Sequence, residues 1–106
     1  MQHSDSQRIK LTVLYGHPTD PDAFEHYYAD THMPLVRKIQ GVRTEAAKVI
    51  ATSDGSKPTH YRIFEFWFDD MQHMQQVMSS PEAKGAVADV PNFASGGVSI
   101  LVSQIE

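Results

Sequence analysis

The chain has 106 residues, 41% hydrophobic and 21% charged, which suits one globular domain and leaves too little chain for the core of a second. A net charge of −4 argues against nucleic-acid binding, which depends on clustered lysine and arginine. The absence of cysteine excludes disulfides, thiolate catalysis and cysteine-ligated metal centres.

Residues 1–7 are polar and lack the apolar centre of a signal peptide. We therefore expect a disordered tail over residues 1–7, one domain over residues 8–106, and a cytoplasmic location. No apolar run approaches the roughly 20 residues that span a bilayer, so no membrane partner is predicted.

The first half of the chain predicts a strand followed by a helix. Apolar side chains alternate along residues 8–15, which is typical of a strand. Asp20 is a favourable N-cap, and Pro21 suits the first helical position. This helix is predicted to run to about Thr31, where the next proline ends it. A short second helix over 34–39 is predicted to continue it and to end at Gly41.

The second half predicts two strands, two helices and a final strand. Asp-Gly and Pro mark a hairpin loop over 53–58. The other elements are predicted as strands over 42–52 and 59–68, a helix from Asp69 or Asp70 through Met78, a short helix over 80–89, a loop over 90–96 and a strand over 97–105. The order β-α-β-β-α-β predicts an α+β, ferredoxin-like fold, in which two helices cover one face of a four-stranded antiparallel sheet.

The third predicted strand is apolar on both faces. One face carries Phe64, Phe66 and Phe68, and the other carries Tyr61, Ile63 and Trp67. Because the helices cover only one face, the opposite face would expose an apolar patch. A second copy that packs sheet against sheet would cover it, so the pattern predicts a homodimer.

Phe24, Tyr28 and His32 recur every four residues and predict one stripe on a helix. His32 is the candidate acid or base, since an imidazole titrates near neutral pH. The alternative is a structural histidine that holds the following turn by a backbone hydrogen bond. Together with Trp67 and Phe93, the two aromatic residues of the stripe are predicted to line a binding pocket, and the alternative for each is an ordinary core position.

Glu65 lies in the middle of a predicted strand, where a carboxylate must be paired or have its pKa raised. A structural role, either an ion pair across the sheet with Arg43 or Lys48 or a place at the dimer interface, is favoured over a role as proton acceptor. The histidines lack the spacing of a metal site, and the chain has no glycine-rich nucleotide motif. We therefore expect neither a metal nor another cofactor.

Four segments occur in a characteristic order. They are the strand Lys10–Tyr15, the helix pattern Asp20-Pro21-x-x-Phe24-x-x-Tyr27-Tyr28-x-x-Thr31-His32-x-Pro34-Leu35, the strand end Glu65–Phe68, and the stretch Asn92–Val98. In these segments the chain resembles the EthD family of dimeric α/β-barrel proteins, over nearly all of Ile9–Val102. The resemblance implies two ferredoxin-like subunits that pair their sheets into a barrel.

The resemblance also implies a function. The namesake protein is needed for bacterial oxidative breakdown of ethyl tert-butyl ether, and related barrels include cofactor-free monooxygenases, polyketide cyclases and muconolactone isomerases. His32 falls at the family's Thr-His-x-Pro position. We expect an EthD-like protein that binds or transforms a small apolar or aromatic compound, with His32 moving a proton if it is an oxidoreductase, isomerase or cyclase. The alternatives are a non-catalytic carrier and a structural dimer.

Overall fold

The computed structural model describes residues 8–106, so the predicted tail over 1–7 lies outside it. The strands are β1 Ile9–Tyr15, β2 Arg43–Lys48, β3 Arg62–Phe68 and β4 Val98–Gln104. They form an antiparallel sheet in the order β2-β3-β1-β4. The helices are α1 Pro21–Tyr27, a π-helical segment Tyr28–His32, α2 Met33–Val36, α3 Met71–Met78, α4 Pro81–Asp89 and a 3-10 turn Val90–Asn92. The predicted ferredoxin-like α+β fold is confirmed.

The helices begin where the sequence predicts N-caps. Asp20 accepts a hydrogen bond from the backbone N–H of Ala23 at 3.1 Å, and Asp70 accepts one from His73 at 2.8 Å. Each bond satisfies a backbone donor that the first helical turn leaves free. The strands β2 and β3 are shorter than predicted, because the residues around the intervening hairpin loop do not join the ladder.

The prediction that the first helix ends before Pro34 is wrong. The backbone stays right-handed helical through His32 and Met33, and the N–H of Met33 bonds to the carbonyl of Tyr28, five residues earlier. In an ordinary α-helix the proline ring clashes with the carbonyl four residues before it. The wider π turn relieves this crowding, so the helix continues and His32 lies inside it.

The core lies between the helices and one face of the sheet. The residues of β1 and β3 that face the helices are buried, namely Ile9, Leu11, Val13, Tyr15, Phe64, Phe66 and Phe68. Cross-strand pairs such as Leu11 with Phe66 and Val13 with Phe64 hold this face together. The phenylalanine face of β3 therefore meets the helices, and the Trp67 face does not.

The opposite face of the sheet is only partly apolar. Trp67 is half-buried there, and the guanidinium of Arg43 stacks over its ring at 4.7 Å. Glu65 accepts a hydrogen bond from Thr12 at 3.0 Å and pairs with Lys10 at 3.2 Å. The predicted pairing of Glu65 with Arg43 or Lys48 is thus wrong, because its ion-pair and hydrogen-bond partners come from β1, whereas β2 places Glu45 opposite it. These two contacts give the carboxylate of Glu65 a structural role in the sheet.

Within residues 8–106, no helix has both the length and the apolar character needed to cross a bilayer.

Two glycines provide a matched test of the packing at the entrance to β4. The backbone around Gly96 lies so close to His17 that a Cβ at position 96 would overlap its carbonyl oxygen, whereas a Cβ on Gly85 in α4 would meet open space. We expect Gly96→Ala to lower the free energy of unfolding by about 1–3 kcal/mol through overpacking. Gly85→Ala should raise it by about 0.5–1 kcal/mol, since alanine favours a helix. Urea denaturation measures both, and equal stability of the two variants would contradict the packing described.

Candidate functional site

A cavity of about 200 Å³ lies between the sheet and the helices α2 and α4. We call it the apolar cavity, and its walls are Leu11, Val13, Tyr15, His32, Val36, Ile39, Phe64, Phe66, Met78, Ala83, Ala86, Val87, Val90, Pro91, Val98 and Ile100. Its volume exceeds the roughly 150 Å³ of an engineered apolar cavity that takes up benzene. A substituted ring is therefore a ligand of suitable size. The cavity reaches the surface beside Val87 and Ile100, which are 48% and 53% exposed.

His32 is the polar group that the π segment places at this cavity. The side chain is buried, and its Nδ1 lies 3.0 Å from Oδ2 of Asp89. A carboxylate only accepts, so Nδ1 carries the proton and Nε2 of the neutral ring is an acceptor. Nε2 has no hydrogen-bond partner within residues 8–106, yet it is not among the fully enclosed atoms. It therefore opens towards the apolar cavity.

Asp89 is fixed by three donors at the end of α4. Its carboxylate accepts hydrogen bonds from the Tyr27 hydroxyl at 2.6 Å and the Asn92 side-chain amide at 3.0 Å, besides the one from His32. Asp89 was not predicted as a site residue from the sequence. One signal was present, since an acidic residue at a helix C-terminus opposes the helix dipole and needs another reason to be there.

The pKa shifts in this pair favour a neutral histidine beside a charged carboxylate. Burial lowers the pKa of His32, and Asp89 offsets this only in part. Burial raises the pKa of Asp89, but the hydrogen bonds from Tyr27, Asn92 and His32 outweigh it and lower that pKa overall. At neutral pH the pair is therefore arranged as a base with an orienting carboxylate.

The structure brings His32 together with three of the four predicted aromatic residues. Its ring centroid lies 4.6 Å from that of Phe93 and 5.7 Å from that of Tyr28, and Phe24 stacks on Tyr28 at 5.6 Å. The guanidinium of Arg62 lies over the ring of Tyr28, 4.2 Å from its centroid. Phe24, Tyr28 and Phe93 thus pack behind His32 as buried core residues rather than forming the wall of the apolar cavity.

Trp67, the fourth predicted aromatic residue, lies away from the site, so the prediction that it lines the binding pocket is wrong. Side chains alternate between the two faces of a strand, so the burial of Phe66 and Phe68 under the helices turns Trp67 to the opposite face. Phe64 and Phe66 form the aromatic wall of the apolar cavity in its place.

The histidine and acidic side chains within residues 8–106 do not form a metal centre. Over the part of the chain that the structure describes, no three of them lie close enough to hold an ion.

The sequence and the fold agree with a known family. The model of the EthD domain matches residues 16–97, and the chain belongs to this family. It is 40% identical over 97 residues to an uncharacterized 11.0 kDa protein in the thcB-thcC intergenic region of Rhodococcus erythropolis, covering 92% of this chain and 94% of that one.

Solved structures give the same family and the same fold. An EthD family protein of Bacillus halodurans superposes with a TM-score of 0.84 at 31% identity, covering 93% of this chain and 99% of that one. The fold is shared with a hydroxynitrile lyase from Passiflora edulis, at a TM-score of 0.74, 11% identity and 95% coverage of both chains. It is also shared with a dimeric protein of Bacteroides fragilis, at a TM-score of 0.63, 13% identity and coverage of 92% and 96%.

The Asp89–His32 pair makes a prediction for titration. We expect the pKa of His32 to lie below its usual value of about 6.5, and Asp89→Asn to lower it further, because the carboxylate favours the imidazolium. Since the unfolded chain then binds a proton that the folded chain does not, the free energy of unfolding contributed by His32 falls as the pH drops below about 6.5.

Nitrogen-15 NMR of the imidazole between pH 4 and pH 8 measures this pKa. Asp30→Asn is the matched control, because Asp30 is exposed and lies 3.7 Å from His26 instead. A pKa that rises in Asp89→Asn would contradict the geometry of the pair.

Proposed function

We propose that the protein binds a small apolar or aromatic compound in the apolar cavity and transfers a proton to or from it through His32. The hydrogen bond from Nδ1 of His32 to Asp89 carries this proposal, because it leaves Nε2 as a proton acceptor facing the cavity. When Nε2 takes a proton from the ligand, the carboxylate of Asp89 stabilises the imidazolium that forms. Neither step requires a cofactor.

The surroundings of His32 support this chemistry. The walls of the apolar cavity are almost entirely aliphatic and aromatic, so a bound ligand displaces water and the electrostatic interactions inside become stronger. Cofactor-free oxygenation, isomerisation and cyclisation all use removal of a proton from an apolar substrate. Membership of the EthD family supports a role in oxidative catabolism such as ether degradation.

A ketone with acidic α-protons tests the proton transfer directly. We expect the protein to bind 2-indanone and to accelerate exchange of its α-protons in D₂O, followed by NMR. His32→Gln should lower the exchange rate by about 10²–10⁴-fold, the usual contribution of a general base. Val87→Trp, a change at the half-exposed mouth of the cavity, should weaken binding and leave the pair intact. Binding without any exchange would select the carrier alternative, and failure to bind small apolar compounds would reject the site.

We also propose that two copies pack through the face of the sheet that the helices leave uncovered. Trp67, Leu14 and Ile63 are only half-buried on this face, and Leu101 is 52% exposed. Burying such side chains favours association by about 25 cal/mol per Å² of apolar area. The neighbour from Bacteroides fragilis is a dimeric protein, which supports association into a dimer.

Two neighbouring residues of β4 test where the copies meet. Leu101 lies opposite Thr12 on the uncovered face, whereas Val102 lies opposite Leu11 on the helix side, and each is 52% exposed. Sedimentation velocity should give twice the subunit mass of 11.9 kDa for the wild type. Leu101→Glu should give folded monomers and Val102→Glu should remain a dimer. A wild-type monomer, or dissociation by Val102→Glu alone, would refute this interface.

A further inference from the structure

Tyr15 is a second polar residue of the apolar cavity, and the proposed function does not use it. It ends β1 on the helix side of the sheet and is 2% exposed. Its ring centroid lies 5.6 Å from those of Phe24 and Phe93 and 6.0 Å from that of Tyr28. These contacts hold the ring in one position at the cavity wall.

The hydroxyl of Tyr15 differs from those of the other three tyrosines. Tyr27 donates to Asp89 and Tyr61 donates to Glu25, each at 2.6 Å. Buried hydroxyls are normally bonded in this way. Residues 8–106 offer no hydrogen-bond partner to the Tyr15 hydroxyl, and that atom is not among the fully enclosed ones. The hydroxyl of Tyr28 also has no hydrogen-bond partner within residues 8–106, but it is fully enclosed. The ring of Tyr15 lines the apolar cavity, so its hydroxyl is available to a ligand there.

The charge state of Tyr15 makes it a donor. Burial, above all, raises its pKa; Tyr28 and the carboxylate of Asp89 add to the rise, and the guanidinium of Arg62 opposes it only in part. The phenol therefore keeps its proton at neutral pH, while Nε2 of His32 has none. The apolar cavity thus presents one donor and one acceptor, both neutral, among hydrocarbon walls.

A single hydroxyl group on a ligand can pair with both the Tyr15 donor and the His32 acceptor. Its oxygen can accept from Tyr15 while its hydrogen is donated to His32. Phe64 and Phe66 in the wall suit an aromatic ring, and the volume suits a ring with a few carbon substituents. A charged ligand would lose its hydration without a partner of opposite charge.

We propose that Tyr15 is a ligand-binding and specificity-determining residue and that the ligand class of the apolar cavity is the small alkylphenols. This inference rests on the proposed function. If the proton is transferred completely, the O–H bond of the phenol breaks and an N–H bond forms at Nε2. The resulting phenolate accepts from Tyr15 and faces the imidazolium.

Three probes of nearly equal shape test this inference by calorimetry. They are 4-ethylphenol, its methyl ether 4-ethylanisole and the hydrocarbon 1,4-diethylbenzene. We expect the wild type to bind the phenol about tenfold or more tightly than the hydrocarbon, with the ether between them, because hydrogen bonds to Tyr15 and His32 are lost in turn. Tyr15→Phe should weaken binding of the phenol and the ether severalfold and leave the hydrocarbon unchanged. Tyr61→Phe is the matched control, since it removes a tyrosine hydroxyl outside the cavity.

The outcomes separate this inference from the proposed function. Failure of all three probes to bind the wild type would overturn both. Equal binding of the three probes by the wild type would overturn the inference alone, whether or not the variants fold. The same holds if Tyr15→Phe weakens phenol binding no more than Tyr61→Phe does.

Discussion

The hydrogen bond between His32 and Asp89 is the interaction on which the candidate site depends. It joins the π segment to the end of α4, two elements that are far apart in sequence, across the end of the core. Asp89 can accept it only because Tyr27 and Asn92 hold the carboxylate in place. A buried charge needs such partners. The carboxylate of Asp89, held in this way, also sets the tautomer of the imidazole. The bond therefore serves both the packing of the helices and the chemistry proposed for the apolar cavity.

The alternation of β1 and β3 decides what surrounds this pair. The side chains that face the helices provide the hydrocarbon walls of the apolar cavity and end at Tyr15. The opposite side chains carry the Lys10–Glu65 pair and the half-buried Trp67. The sheet thus separates two surfaces with different chemistry, one suited to a small ligand and the other to a second copy of the chain. Both depend on the same register, since a slip of one residue would exchange them.

Much of the fold could be predicted from local patterns. Asp20 and Asp70 cap helices as expected, and the element order gives the ferredoxin-like topology. The site could be predicted only in part. His32 was identified from its helical spacing with Phe24 and Tyr28, but those two residues pack behind it and do not line the apolar cavity. Asp89 escaped notice because its partner lies 57 residues away in the sequence. A second helix from Pro34 was predicted, but the unbroken helical backbone between Thr31 and Pro34 was not, because a π turn has no distinct residue pattern.

The sequence by itself determined the order of the elements, the helix starts and the presence of a titratable group next to an aromatic stripe. These follow from preferences that act over a few residues, such as capping, alternation and helical period. Only the tertiary structure decided which face of β3 meets the helices, which carboxylate holds His32 and that Tyr15 borders the apolar cavity. Which face of β3 meets the helices was ambiguous in the sequence, because both faces are apolar. The outcome depends on how the helices pack. The pairing of His32 with Asp89 and the position of Tyr15 at the apolar cavity depend on segments that are distant in the sequence. Local preferences carry no information about such contacts.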